Sequence, residues 1–421
     1  MKAAFVILSL GALIMMSCVP NEGATRTGIT AALTQTIAPT ATPTKTSVPT
    51  ATGTPSPMPV GGGSGRIGFS LARSKFLTSF PDLKGEVNVF TANLDGTDLT
   101  PVTNGLDGYN FLESVSPDGT KGLAVSAKSI WLYESNQKLA LYLIDLTEPS
   151  RESVRITQIP ASVEFAGYGG QVYGFRSSIA RWIDKARIVY IGEGKEGFGI
   201  YTGNIDGANW KNIFSNDSGV TPLDILALDG TRVYWGSKFR TSYGNKGLAV
   251  WWSNIDGSGQ GKLESNGVQI KAQTIRFSAD GSVIAWVEDP NAPLYKTYLH
   301  LATVTDINNP STVELGDTMV RLIVLPDGLK GFGFYLASPG FFEVSMTPTP
   351  HVTILDVGAN LSDPGGLNTE IFDVSPDGRQ VLVAMSIFNA KALDLERMRF
   401  SPFSDSLASP DLRYSGIYWI P

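Results

Sequence analysis

Cysteine and histidine are nearly absent from this sequence, with one Cys and two His in 421 residues. A single Cys excludes an internal disulfide framework, and so few thiol and imidazole ligands leave no zinc site of the usual types. Charge is also sparse. Lys, Arg, Asp and Glu make up 17% of the chain, against about 25% in ordinary globular domains. The net charge of −6 comes without any block of Lys or Arg, so the chain has no electrostatic footprint for nucleic acid. The Gly-x-Ser-x-Gly pentapeptide of a hydrolase nucleophile elbow does not occur. Ser135-Asn136-Gln137-Lys138 matches Ser-x-x-Lys, but it falls in a strand-to-strand loop, whereas that motif opens a helix. No motif asks for a cofactor, and no metal is expected. Acidic turns such as Asn93-Leu94-Asp95-Gly96-Thr97-Asp98 offer oxygen ligands of the kind Ca²⁺ takes. Their Asp more simply bonds the turn's own backbone.

What the chain has instead is glycine, 45 residues of it, and 10% aromatics. Much of the glycine sits in one recurring phrase. Ser375-Pro376-Asp377-Gly378 precedes the apolar run Val381 to Met385, and Ser116-Pro117-Asp118-Gly119 precedes Leu123-Ala124-Val125. Pro presets φ at the second position of a tight turn, and Gly takes the left-handed position at its end. Altered copies are Ser278-Ala279-Asp280-Gly281, Leu325-Pro326-Asp327-Gly328 and Ala227-Leu228-Asp229-Gly230, and Trp182-Ile183-Asp184-Lys185 is a copy that has lost its Gly. A second phrase alternates with the first: Asn93-Leu94-Asp95-Gly96, Asn204-Ile205-Asp206-Gly207 and Asn254-Ile255-Asp256-Gly257. Each follows an alternating apolar run, which is a strong hairpin signal.

The first-phrase copies at 227, 278, 325 and 375 are 47 to 51 residues apart. Gly65-Arg66-Ile67-Gly68-Phe69 supplies the strand of an earlier unit. A period of about 40 to 50 residues with four short strands per unit marks a β-propeller. The expected fold is therefore all-β, a propeller of four-stranded blades. Seven units are counted, with six or eight left open, because the first lacks its leading strand and the last its final one. The phrases resemble the TolB-type repeat, itself close to WD-type repeats, in which a Ser-Pro-Asp-Gly turn precedes an apolar strand and an Asp-Gly turn follows the next. The resemblance covers residues 65–421; TolB has six repeat blades plus a separate domain, and no counterpart of that domain is read in this sequence.

Two segments precede the propeller. Met1-Lys2 and the apolar run Ala3 to Met16 have the form of a signal peptide. The run ends Ile14-Met15-Met16-Ser17-Cys18, which resembles a bacterial lipoprotein signal, with Met15 in place of the usual Leu. Residues 1–18 are read as that signal, with Cys18 as the lipidation site, an anchor without a spanning helix. Residues 19–64 are Thr/Pro/Ala-rich and hold almost no large apolar side chains, so they read as a disordered tether. At roughly 3 Å per residue it reaches on the order of 100 Å, and its Thr/Pro composition suits O-glycosylation. The implied location is extracytoplasmic, lipid-anchored to a bacterial membrane, and the chain is expected to be a monomer.

Label the strands of a unit A to D from the axis outward. The Ser-Pro-Asp-Gly turn joins A to B and the Asn-x-Asp-Gly turn joins C to D, so both lie on one face. Asp95, Gly96, Asp118, Gly119, Asp206, Gly207, Asp256, Gly257, Asp280, Gly281, Asp377 and Gly378 are then structural. The B–C and D–A connections lie on the opposite face and are long. They carry Phe76, Phe80, Tyr168, Tyr173, Phe175, Arg176, Phe239, Arg240 and Tyr243, and further on Arg397, Arg399, Phe400 and Phe403 after an expected short helix over 390–398. Arg and aromatic side chains dominate interface hot spots. The expected function is therefore a binding protein whose loop face meets a protein, peptide or glycan, through Phe76, Phe80, Tyr168, Tyr173, Arg176, Phe239, Arg240 and Tyr243. The alternative is a glycan or peptide hydrolase or lyase acting in the central tunnel, with Glu113 and Asp373 on inner strands as its acids. His300 and His351 read as strand or loop residues.

Overall fold

Runs such as Leu123-Ala124-Val125 and Val233-Tyr234-Trp235 are buried at every position. Alternate residues of a strand point to opposite faces, so these strands are covered on both sides. That burial pattern fits sheets stacked around an axis. The computed structural model describes residues 65–72, 84–103, 105–127, 140–148, 153–155, 178–194, 196–215, 219–240, 246–288, 298–315, 320–325, 330–335, 340–345, 350–355, 370–386, 389–397, 399–400 and 414–421. Residues 1–64 lie outside the described residues, so the signal, Cys18 and the tether are not among them. Among the described residues no helix is long and apolar enough to cross a membrane.

Among the described residues the strands form three four-stranded sheets, two eight-stranded sheets and a small added hairpin, Glu264–Ser265 with Val268–Gln269. Each eight-stranded sheet is two sets of four, joined by Val87↔Tyr109 in one and by Leu248↔Ala272 and Ala249↔Lys271 in the other, and each set of four strands is one unit. Unit 1 pairs Tyr414–Ile420, Arg66–Ala72, Val87–Asn93 and Thr100–Pro101. Its innermost strand therefore comes from the far end of the chain. The inner strands of units 2 to 7 are Tyr109–Val115, Ala180–Trp182, Pro222–Leu228, Lys271–Phe277, Val320–Val324 and Glu370–Val374. Each of these inner strands except Ala180–Trp182 and Pro222–Leu228 touches both of its neighbours directly, and the ring closes from Glu370–Val374 back to Tyr414–Ile420. Units 3 and 4 are joined by a backbone bond, Ile225 N–H to Ser178 O at 2.7 Å. The protein is a β-propeller of the expected four-stranded type.

The apolar clusters follow the seams between units. Ile67, Phe69, Leu71 and Trp419 of unit 1 pack on Leu382 and Ala392 of unit 7. Val189, Ile191 and Phe214 of unit 3 pack on Val233 and Trp235 of unit 4, while Tyr234 faces the other way onto Phe277 of unit 5. One strand thus serves two cores.

Two expectations are corrected. The last unit does not lack its final strand, because Arg399–Phe400 pairs with Asn389–Asp394 as its fourth. The helix expected over 390–398 is not formed either. Asn389–Asp394 is a strand paired with Gln380–Ser386, and its Ala392 and Leu393 are buried in two different seams. Good helix formers were overridden by burial on both faces.

Candidate functional site

The face built from A–B and C–D turns spends its acids on itself. Asp95, Asp118, Asp206, Asp256, Asp280 and Asp377 each accept the backbone N–H two residues on, at 2.8–3.1 Å. Ser or Thr hydroxyls beside Asp95, Asp118, Asp256 and Asp280 hold those carboxyls below the usual range. These carboxylates are charged and committed to turn geometry. Asp229 and Asp184 do the same in a tighter turn. Asp229 N–H bonds Arg232 O, whereas Ser116 N–H reaches Lys121 O. The hairpin of unit 4, closed at Leu228↔Val233, is therefore two residues shorter than the Ser-Pro-Asp-Gly form closed at Val115↔Gly122, and that of unit 3, closed at Trp182↔Ile188, is one residue shorter.

The inner strands carry a second set of acids with a different role. A β-bulge between Leu112 and Ser114 leaves Glu113 outside the ladder, and bulges re-aim side chains. Glu113 is 3% exposed and its Oε1 accepts Ile179 N–H of unit 3 at 2.6 Å. Asp224 of unit 4 is 8% exposed and its Oδ1 accepts Ser178 N–H at 2.7 Å. Asp373 of unit 7 is half-buried and its Oδ2 accepts Trp419 N–H of unit 1 at 2.9 Å. Every one of these bonds crosses from one unit to the next.

Burial pushes the Glu113 carboxyl up to about 8, with the charge of Asp224 adding to it and the Ile179 N–H and Arg181 opposing. Burial likewise raises Asp373 to about 6, against the Trp419 and Val374 N–H groups and Arg181. Asp224 is raised by burial, with Arg181, the Ser178 N–H and Arg276 opposing. The Tyr418 phenol is raised by burial first and then by Glu113. Three acids, two arginines and a tyrosine thus share one field near the axis. Among the described residues no three His, Cys, Asp or Glu are grouped to hold a metal ion.

The loop-face residues fare unevenly. Phe76, Phe80, Tyr168, Tyr173, Phe175, Arg176, Tyr243 and Phe403 lie outside the described residues, as do Ser135 to Lys138 and the turn at 326–329. Phe239 and Arg240 end the strand Arg232–Arg240, paired with Gly247 and Lys246. Arg397 is not on the loop face. It follows the C strand of unit 7 in a C–D turn, where its N–H bonds Asp394 Oδ1. Phe400 packs against Phe341 in the seam with unit 6, under Lys391. His300 sits in a strand, stacked on Trp286 and bonded to Thr312 Oγ1 at 2.9 Å.

The sequence reading named Glu113 and Asp373 but not Asp224, Arg181 or Tyr418. Asp224 had a usable signal, a lone acid inside Pro222-Leu223-Asp224-Ile225-Leu226, since buried carboxylates are rare without a partner. Arg181 and Tyr418 had none, because their inner strands belong to the two units whose turn phrase is degraded or absent.

Comparison with family models finds no match, and no curated protein matches. Solved structures do. TolB from Acinetobacter baumannii is 16% identical at a TM-score of 0.43, over 85% of this chain and 67% of that one. A puromycin-hydrolyzing peptidase from Mycobacterium tuberculosis is 14% identical at a TM-score of 0.45, over 69% of this chain and 46% of that one. A chain of a nidogen/laminin complex is 10% identical at a TM-score of 0.39, over 69% of this chain and 92% of that one.

Proposed function

We propose that this protein is a membrane-tethered, extracytoplasmic propeller that binds a protein, peptide or glycan through its B–C/D–A face. Phe76, Phe80, Tyr168, Tyr173, Arg176, Phe239, Arg240 and Tyr243 are the contact set. The supporting observation is the B–C hairpin of unit 4. Its strands, Arg232–Arg240 and Lys246–Asn254, are nine residues each, against six to eight for the B strands of the other units. One to three extra residues at about 3.3 Å each lengthen the ladder that ends at Phe239 and Arg240. Rigid elements present binding side chains with less ordering cost than loops do. The opposite face has its acids committed to turns.

A photo-crosslinking residue in place of Tyr243, in the full chain in the cell envelope, tests this. A discrete adduct at 243 and none at Thr97 on the turn face is expected. Equal adducts at both positions would remove the claim. For the anchor, Cys18→Ser is expected to abolish acyl labelling and move the protein from the membrane fraction to the soluble one.

The rival reading, hydrolysis or lysis in the tunnel, draws on Glu113, which is protonated near neutrality as a general acid must be. Against it, Glu113 and Asp373 each already accept a backbone N–H from the next unit.

A further inference from the structure

We propose that Glu113, Asp224 and Asp373 are proton-controlled ties between units, and that loss of their protons loosens the backbone at Ser178–Ala180 before the rest of the ring. The geometry starts at unit 3. Its inner strand, Ala180–Trp182, has three residues, where those of the other units have five to seven. What fixes it is a set of bonds to both sides. Ile179 N–H goes to Glu113 of unit 2, and Ser178 N–H goes to Asp224 of unit 4. Ala180 O accepts from Ser114 Oγ at 3.2 Å, and Ser178 O accepts from Ile225 N–H.

Consecutive amide nitrogens are at most about 3.8 Å apart. Bonds of 2.6 and 2.7 Å to two such nitrogens therefore place the accepting oxygens of Glu113 and Asp224 within about 9 Å of each other. Both groups are more than nine-tenths buried. Two bare carboxylates at that separation, away from water, repel strongly. The cations acting on them are Arg181 of unit 3, which acts on both, and Arg276 of unit 5, which acts on Asp224; Tyr418 of unit 1 feels Glu113, Asp224 and Asp373. Arg181 also serves Asp373 of unit 7, so with all the acids ionised one guanidinium is shared among three carboxylates and only Asp224 has a second.

A proton on one of these acids removes one of those negative charges and leaves a carbonyl oxygen still able to accept the backbone N–H. All three carboxyls are raised above their ordinary values by burial. The stability that these raised groups contribute is therefore fully present below about pH 4, the ordinary carboxyl range. It is lost as pH rises through about 6 for Asp373 and about 8 for Glu113, because the cost of burying the charge outweighs the stronger bond each carboxylate makes. The strain is released where the ladder is shortest, at unit 3. Asp373 ties units 7 and 1 through a seven-residue strand and resists opening.

Amide hydrogen exchange on the full chain at pH 5.5 and 8.5, corrected for the base catalysis of exchange itself, reads this directly. Protection of the Ser178–Trp182 peptide is expected to fall at least tenfold between the two values. A reference peptide over Val250–Asn254 is expected to stay within twofold. In Glu113→Gln and in Asp224→Asn, each of which keeps an acceptor oxygen but no charge, the fall is expected to shrink to threefold or less. Unchanged protection of 178–182 in the wild type would overturn the proposal. So would an equal loss in the reference peptide, or a full tenfold loss in whichever of the two variants folds.

Discussion

Trp419→Ala is expected to lower the unfolding free energy by about 3–5 kcal/mol, the range for emptying a buried indole site. Trp419 is 3% exposed and packs with Ile67, Phe69 and Leu71 against Leu382 and Ala392 of unit 7. It thus fills the seam where the two ends of the propeller meet. The substitution keeps the backbone N–H that Asp373 accepts, so the loss reports packing alone. Its indole Nε1 is buried with no hydrogen-bond partner among the described residues. Trp419→Phe therefore forfeits no hydrogen bond, and a cost of only about 1–2 kcal/mol is expected, from lost volume. Urea denaturation followed by tryptophan fluorescence and by circular dichroism gives both values. Equal costs for Ala and Phe would mean that the indole N–H, and not the seam, carries the effect. Deleting residues 414–421 goes further. It removes the ladder from Arg66↔Ile420 to Leu71↔Tyr414 and uncovers one edge of a strand whose Ile67, Phe69 and Leu71 are wholly buried. Loss of the cooperative transition is expected, since a domain's net stability is only about 5–15 kcal/mol.

This closure is what the sequence could not display. A turn such as Ser116-Pro117-Asp118-Gly119 is written locally: Ser116 Oγ meets Asp118 Oδ1 at 2.7 Å and Asp118 accepts Thr120 N–H. All the chemistry lies within five residues, so the repeat and the strand order within units were legible. The pairing of Arg66–Ala72 with Tyr414–Ile420 depends on geometry accumulated around the whole ring, and neither segment names the other. The strand Asn389–Asp394 was misread for the same reason. Ala390, Leu393, Glu396 and Met398 favour a helix locally, and only the two seams on either side make a strand the better solution. The axial acids were half legible. Glu113 and Asp224 each stand five residues before the Asp of their turn, Asp118 and Asp229, but only the first of those turns carries the intact phrase, and Asp373 stands four residues before Asp377.

The contrast between Gly281→Ala and Gly230→Ala separates two costs that the repeat phrase merges. Both glycines sit at positive φ, 70° and 84°, where an added Cβ costs about 1–2 kcal/mol. Around Gly230 nothing lies within 4 Å of the added carbon, so that cost is expected alone. At Gly281 the carbon would lie 2.6 Å from Leu228 O and 2.7 Å from Leu228 C, backbone atoms of the preceding unit. The turn of unit 5 is seated on the end of the inner strand of unit 4, and neither piece can yield without opening the seam. Overpacking of this kind adds about 1–3 kcal/mol, which brings the total for Gly281→Ala to about 2–5 kcal/mol. Gly119 meets Pro421 O at 2.6 Å in the same way and is expected to behave like Gly281. Denaturation midpoints at unchanged slope measure all three. If Gly230→Ala proved as costly as Gly281→Ala, the turn conformation alone would account for the glycine. If the costs differ as expected, the glycine of this phrase both shapes its own hairpin and sets how closely one unit sits on the next.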